Sequence, residues 1–519
     1  MNPLGKDSLA GAGQQTASID SRSSSEYWWV PGSLAIYFIV QAAIRIAISS
    51  SLRIDEAQQF LVGQWLAWGY DAQPPLYNWI QYGIFEIFGT SVASLVIVKN
   101  LLLFLVYLAY YKLLRSLLAD KRLAAVGTLS LLTMPQMFWQ AQRDLTHTVG
   151  TLLAVLMLIY FVIVTIRRPT VLSYALIGLW AGLGMLTKYN FALVIGSVLI
   201  ATFFHPVGRK RLRDWRLLLT LAIAVLVFLP HAIWMVSNMD RVLTTTVQTM
   251  SEQGADGKLS DIGFGLLELI KTSVAIIAPT SVIFLLFFRQ SFLRALRARS
   301  EWSDFVGRIL LSTAAILVLL ILVITLTEFR DRWLLPFLFL LPAYFCLKLD
   351  AAGQQSQADI KKFLYVPIVM MIALPLIIAG GVLFARFFHS YEHLNAPYAT
   401  FVDKVVTPEG KQPSAVVTTT WLKAGNLRVS MPHTSVVSTE YPASDLSRQV
   451  IGDGPVLLVW NERDGHQSTM PNALQLWLTS KYGTAAELPP QQDIALPYYY
   501  GKEPDRYHFG YAWYYPKPN

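Results

Sequence analysis

The chain has 519 residues, of which 54% are hydrophobic and only 14% charged, with a formal net charge of +9. Soluble proteins carry about 25% charged residues, so a soluble globular enzyme is excluded, and apolar runs of about 20 residues read as membrane helices. The basic excess follows membrane topology and does not point to nucleic acid.

Residues 1–29, rich in Ser, Gly and Gln, are expected to form a disordered cytoplasmic tail. No cleavable signal peptide is expected, because the first apolar stretch is long and lacks a small-residue cleavage site. About eleven apolar segments are long enough to be candidate spans. They are residues 30–50, 92–114, 123–141, 145–166, 171–187, 190–204, 217–237, 263–288, 308–327, 333–348 and 363–385. Leu186-Thr187-Lys188-Tyr189-Asn190 reads either as a loop or as a break inside one helix, so the total lies at about eleven to thirteen.

Lys and Arg stay on the cytoplasmic side. Here they concentrate in alternate connections, around Lys112–Arg122, Arg167/Arg168, Arg209–Arg216, Arg289–Arg299 and Lys348–Lys362. That pattern predicts a multi-pass protein of the bacterial inner membrane with a cytoplasmic N-terminus. The first external loop (51–91) and residues 386–519 fall on the periplasmic side. Cys346 is expected to be an inert buried thiol.

Within the first external loop, Asp55 and Glu56 follow directly on the first span. Adjacent residues on a helix point about 100° apart, so one acts on a substrate atom while the other positions groups. Acidic decoration of a first helical turn is the plainer reading. The Gln73-Pro74-Pro75-Leu76-Tyr77-Asn78 element that follows favours chemistry. Residues 76–88 have the apolar spacing of an amphipathic helix lying in the membrane interface, ended by Gly89.

Further on, Asp144 opens a helix, as an N-cap or as a functional carboxylate. His147 shares its face, and Asp-x-x-His is a weak metal signal. Lys188 ends an apolar helix, where snorkelling is the plain explanation. Arg330 and Arg332 lie on the face that should lack cations; local pairing with Glu328 and Asp331 or an anionic phosphate accounts for them. Arg45 and Lys99, inside spans, are ascribed to internal ion pairs or snorkelling.

After residue 386 strand-like segments (414–421, 435–441, 455–460) and helical ones (422–430, 470–482) predict a small α/β domain without a phosphate loop. The aromatic tail from Tyr498 to Tyr515 reads equally as a headgroup-level belt or as an edge strand.

Asp55-Glu56, Gln73-Pro74-Pro75-Leu76-Tyr77, Asp144, Gly182-Leu183-Gly184…Thr187-Lys188-Tyr189 and Asp331-Arg332-Trp333-Leu334-Leu335-Pro336 occur in one order over residues 30–350. In this the chain resembles the polytopic GT-C glycosyltransferases. More narrowly, it is similar to the protein O-mannosyltransferase and lipid A aminoarabinose transferase superfamily (glycosyltransferase 39-like), nearest its lipopolysaccharide-core galacturonosyltransferases. Gln58 and Gln73 stand where aminoarabinose transferases tend to carry Arg and Lys, which leaves the donor open but not the reaction class.

The resemblance implies a GT-C transmembrane catalytic domain (30–385) with periplasmic juxtamembrane helices and a periplasmic α/β domain (386–519). It implies inverting transfer of a sugar, a uronic acid among the options, from a polyprenyl-phosphate donor to lipopolysaccharide, lipid A or another glycolipid. Asp55 is then the base, with Glu56 and Asp144 beside it. Lys188, Arg332 and Arg330 hold the donor phosphate. Gln73, Tyr77, Asn78, His147 and Tyr189 contact substrate. No cofactor is expected, and a divalent metal is compatible but not required. The protein is expected to act as a monomer among membrane lipids. A protein O-glycosyltransferase keeps the enzyme class. A flippase for polyprenyl-linked sugars would carry inverted repeats or broken helices at matching places, which the sequence lacks.

Overall fold

A computed structural model describes residues 29–70, 73–240, 258–408, 410, 412–440, 454–461, 469–483 and 487–516. The expected disordered tail and most of the segment 238–262 therefore lie outside the described residues. Among the described residues, eight helices are long and apolar enough to cross a membrane. They are Trp29–Ile48, Val92–Leu117, Thr146–Arg167, Leu217–Ser237, Leu259–Ala295, Glu301–Ile324, Asp331–Ala351 and Gln357–Leu383. Three shorter apolar helices, Arg122–Thr133, Val171–Met185 and Phe191–Phe203, fall in the remaining apolar segments. The protein is thus a multi-pass helical membrane protein with a small C-terminal sheet.

Lys188 sits in a turn between two helices, and the glycines before it explain the local packing. A Cβ on Gly182 would lie 2.7 Å from the Val227 side chain, and one on Gly184 2.1 Å from the Phe191 ring. Small residues let apolar helices approach closely where lipid gives no hydrophobic drive. Gly182 seats the Leu217–Ser237 helix, and Gly184 leaves room for the Phe191 ring that opens the next helix.

The connections fall into two groups that bond among themselves. One is basic: Arg167 donates to the Ser116 carbonyl, Arg211 to Ile166, Arg308 to Phe204 and Lys348 to Ala298. In it the Asp350 carboxylate accepts from the Ala119 and Asp120 amides. The other group holds the candidate site. The Leu76 amide donates to the Leu186 carbonyl, Asn190 to the Trp333 carbonyl, and Gln140 to Asp331.

In the C-terminal domain the strands β1 (Ala415–Thr418), β2 (Ser435–Ser438), β3 (Val456–Asn461), β4 (Gln491–Pro497) and β5 (Arg506–Tyr514) form one sheet in the order β2-β1-β3-β5-β4. The first three run parallel, and β5 pairs antiparallel with both β3 and β4. The Arg506–Tyr514 part of the aromatic tail is therefore an interior strand and not an edge strand. Its alternation sends Phe509 and Trp513 to one core and Ala512 to another.

This domain is docked on the first external loop through the helix Trp421–Ser430. The Asn426 amide oxygen accepts from the Leu52 amide at 2.7 Å, and Gln64 exchanges two 2.9 Å bonds with the Val436 backbone. Gly425 lies so close that a Cβ there would be 2.1 Å from the Ala57 carbonyl oxygen.

Candidate active site

The helix Ile54–Val62 begins directly above the first span and carries both carboxylates. They have different surroundings. Glu56 is 1% exposed and accepts two bonds from the Arg45 guanidinium, at 2.9 and 2.6 Å. It also accepts from the Arg53 amide at 2.9 Å, which satisfies the backbone at the N-cap of this helix. Burial opposes its ionisation, but the charge and hydrogen bonds of Arg45, with Arg53 and Lys99, hold its carboxyl down at about 2. Arg45 is spent on this pair and on the Ser49 and Ser51 carbonyls. The internal ion pair expected for Arg45 is present, and its partner is one of the candidate catalytic carboxylates.

Asp55 is half-buried, and its Oδ2 accepts from the Thr146 amide at 3.3 Å. Thr146 is the first residue of the helix Thr146–Arg167, so a carboxylate from another loop faces that helix N-terminus. Asp144 does not cap it: the capping position is Leu145, with no side-chain cap bond. Leu145 has φ +69°, a left-handed conformation that costs a bulky residue about 1–3 kcal/mol. A π-helical turn, Gln136–Gln140, precedes it, and such turns gather at functional sites. Burial first, and then the Asp55 charge, push the Asp144 carboxyl up.

Lys188 and Arg332, far apart in sequence, meet here. The Lys188 ammonium donates to Thr148 Oγ1 at 2.7 Å and reaches the Arg332 carbonyl at 3.5 Å. Burial and the Arg332 charge lower it from 10.5 to about 7, against the pull of Asp55 and Asp331. Among the described residues, no hydrogen bond or ion pair holds the Arg332 guanidinium. Two neighbouring cations without a full set of counter-charges form a ready anion site. Arg330 stands apart. It pairs with Glu328 at 3.4 Å and lies over the Trp333 ring, which is the local pairing weighed from sequence.

The helix Leu76–Phe88 turns its polar face inward. Tyr77, Asn78, Gln81 and Phe85 are buried, while Ile80, Ile87 and Phe88 are exposed. Tyr77 packs against His147 with ring centroids 5.7 Å apart, and His147 lies 3.4 Å from the Gln59 amide. The Tyr77 hydroxyl, the Asn78 and Gln73 amide oxygens, both polar atoms of Gln81, His147 Nδ1 and the Lys99 ammonium are buried with no hydrogen-bond partner among the described residues. Buried polar groups are paired in the great majority of cases, so this concentration marks a place built to meet polar ligand atoms.

Tyr189 lies to one side, stacked on His231 with its hydroxyl 3.0 Å from His231 Nε2, and His231 faces the Trp68 carbonyl. Among the described residues, no three His, Cys, Asp or Glu side chains gather as a metal cage.

The motif reading missed Arg53, Arg143 and Glu392. Glu392, from the strap before the C-terminal domain, pairs with Arg143 at 2.9 Å and Arg53 at 3.6 Å. It also passed over Lys99, whose surrounding charges include Glu56, Asp144 and Asp55. Its signal was available: a lysine inside an apolar helix that reaches no interface marks a functional site by default.

A membrane-embedded helical bundle with carboxylates and unpaired cations at one end, under a small α/β domain, defines a GT-C glycosyltransferase. The comparisons agree. Residues 72–234 match the family described as dolichyl-phosphate-mannose-protein mannosyltransferase. The chain is 40% identical over 485 residues to the lipopolysaccharide core galacturonosyltransferase RgtB of Rhizobium johnstonii, covering 93% of this chain and 97% of that one. With RgtA of the same organism, also a lipopolysaccharide core galacturonosyltransferase, identity is 37% over 486 residues, again 93% and 97% of the two chains. The fold is similar to apo ArnT from Cupriavidus metallidurans, with TM-score 0.58 and 13% identity over 93% of this chain and 97% of that chain. The same ArnT bound to undecaprenyl phosphate gives TM-score 0.57 and 14% identity over 94% and 98%. The chain belongs to the lipopolysaccharide core galacturonosyltransferase family.

Proposed function

We propose that this glycosyltransferase moves a galacturonosyl residue from a polyprenyl-phosphate donor to the lipopolysaccharide core, on the periplasmic face of the inner membrane. The relatives' specificity supports the sugar and the acceptor, and undecaprenyl phosphate held by the similarly folded ArnT supports the donor. The observation that carries the reading is the meeting of Lys188 and Arg332 beside Asp55. The basic connections gathered away from the site support a cytoplasmic N-terminus and a periplasmic site.

In this reading Lys188 and Arg332 grip the donor phosphate, Lys as a point charge and Arg by its two-pronged fork. Asp55 takes the proton of the acceptor hydroxyl as its oxygen attacks the anomeric carbon. The bond from that carbon to the phosphate oxygen breaks with inversion, and polyprenyl phosphate leaves as an anion stabilised by the same two cations. Asp144 and the inward face of Tyr77 and Asn78 orient the sugar. Glu56, locked to Arg45, fixes the direction of Asp55. The leaving phosphate is already charged, so the step requires no cofactor.

The experiment is mass spectrometry of the lipopolysaccharide core from a deletion strain. Loss of a hexuronic acid increment, restored by the wild-type gene and not by an Asp55→Asn copy, is the expected outcome. An unchanged core, or loss of a neutral hexose, refutes the assignment.

A further inference from the structure

A cavity lies where the C-terminal domain meets the strap after the last span. It is open on one side, has a volume of about 180 Å³, and is lined by Tyr391, Tyr498, Tyr507, Glu392, Lys423 and Asn461, among others. That is below the range of sites that take up a whole drug-sized ligand, about 300–1,000 Å³, and is on the scale of a single sugar ring. Its wall is aromatic: Tyr391 and Tyr498 stack with centroids 4.1 Å apart and planes 4° from parallel. Tyr507 stands edge-on to Tyr498 at 5.6 Å.

Its polar groups are few and fixed. Asn461 ends strand β3, is 7% exposed, and donates to the Tyr507 hydroxyl at 2.7 Å. Its amide oxygen is buried with no hydrogen-bond partner among the described residues. Lys423, 5% exposed, donates to the Thr419 hydroxyl at 2.8 Å. A tyrosine platform with a few convergent polar atoms matches a pyranose, which has a C–H face and hydroxyl edges.

The cavity also touches the candidate active site. Glu392, on its wall, is ion-paired with Arg143 and Arg53. These two cations flank Asp144 and Asp55 in sequence. Asn426, on the same wall, is bonded to Leu52. Both cations act on Asp144, as does the Asp55 charge, so Glu392 links the cavity wall to the carboxylate beside the candidate base.

We infer that this cavity is a saccharide-binding subsite that holds a pyranose of the acceptor glycan, with its C–H face on the tyrosine wall and a hydroxyl donating to Asn461. The inference rests on the functional reading above for the identity of the glycan. The cavity itself stands on its own geometry.

The test uses full-length protein in nanodiscs, with deacylated core oligosaccharide as binding probe and the intact core lipid as acceptor. Tyr498→Ala and Asn461→Leu should each raise the acceptor KM about tenfold, the loss of roughly one ring contact or hydrogen bond. Donor KM and kcat at saturating acceptor should stay near wild type. A wild-type thermal midpoint together with the unchanged donor KM shows that the alanine variant is folded. Direct titration of the oligosaccharide should show the same weakening without any turnover. Unchanged acceptor KM and unchanged oligosaccharide affinity in both variants overturn the subsite. So does an effect confined to the donor. Wild-type protein that binds the oligosaccharide but transfers no sugar sinks the functional reading and leaves the subsite standing.

Discussion

The two adjacent carboxylates should fail in different ways when neutralised. Glu56→Gln removes the negative charge that faces Arg45, which is 6% exposed and receives only carbonyl oxygens otherwise. A glutamine offers one acceptor oxygen where the carboxylate offered two, so one of the bonds at 2.9 and 2.6 Å is lost, and the cation remains buried without a counter-ion. Removing one partner of such a pair costs about 3–5 kcal/mol, a large part of a typical stability of about 5–15 kcal/mol. Glu56→Gln should therefore lower the thermal midpoint of the purified protein markedly. The double variant Arg45→Met/Glu56→Met should recover much of that loss, because a buried pair replaced by apolar residues is often near neutral. Asp55→Asn should leave the midpoint near wild type and cut turnover about 10²–10⁴-fold, the usual scale of a general base. The assays are a thermal melt in detergent and transfer from donor to core acceptor. The reasoning fails if Glu56→Gln melts with wild type yet loses turnover as Asp55→Asn does, for then Glu56 does the chemistry.

Other consequences follow from the same geometry. Lys188, lowered to about 7, is charged below that pH and neutral above it, while the unfolded chain keeps the proton to 10.5. Its penalty on the fold is thus full below about pH 7 and fades as pH rises towards 10.5. Donor phosphate restores the charge, so donor affinity should fall above pH 7, with proton uptake visible as a buffer-dependent binding heat that Lys188→Met abolishes. Arg332→Ala should weaken donor binding, and Arg332→Lys should recover only part of it, because a point charge does not replace a fork. Equal donor affinity in all three variants would move the phosphate site elsewhere. Gly425→Ala drives a methyl into the Ala57 carbonyl and should cost about 1–3 kcal/mol, read as easier proteolysis between the bundle and the C-terminal domain. Cysteine in place of Lys210 should resist an impermeant thiol reagent in spheroplasts, and cysteine in place of Leu488 should react; the reverse pattern inverts the orientation.

The sequence by itself determined the class of protein. Apolar length, the alternation of basic connections and the ordered motifs marked a membrane glycosyltransferase, because desolvation and charge sidedness act on the chain residue by residue. It also marked Asp55, Asp144, Lys188 and Arg332 as candidates. Only the tertiary structure decided how they divide the work. The sequence separated Glu56 from Asp55 only by direction on the helix; what holds Glu56 is the Arg45 guanidinium beneath it, a partner eleven residues away and a helix below. The meeting of Lys188 with Arg332, 144 residues apart, depends on how the helices pack and not on either segment's pattern. The Arg506–Tyr514 part of the aromatic tail proved an interior strand because β4 adds outside it, a fact of strand order that alternation along one strand does not encode. Tyr77 and Asn78 were marked as substrate contacts, but Gln81 on the same inward face was not, because their helix keeps its apolar residues on the exposed side. Periodicity tells that a helix has two faces, and the neighbours decide which one is buried.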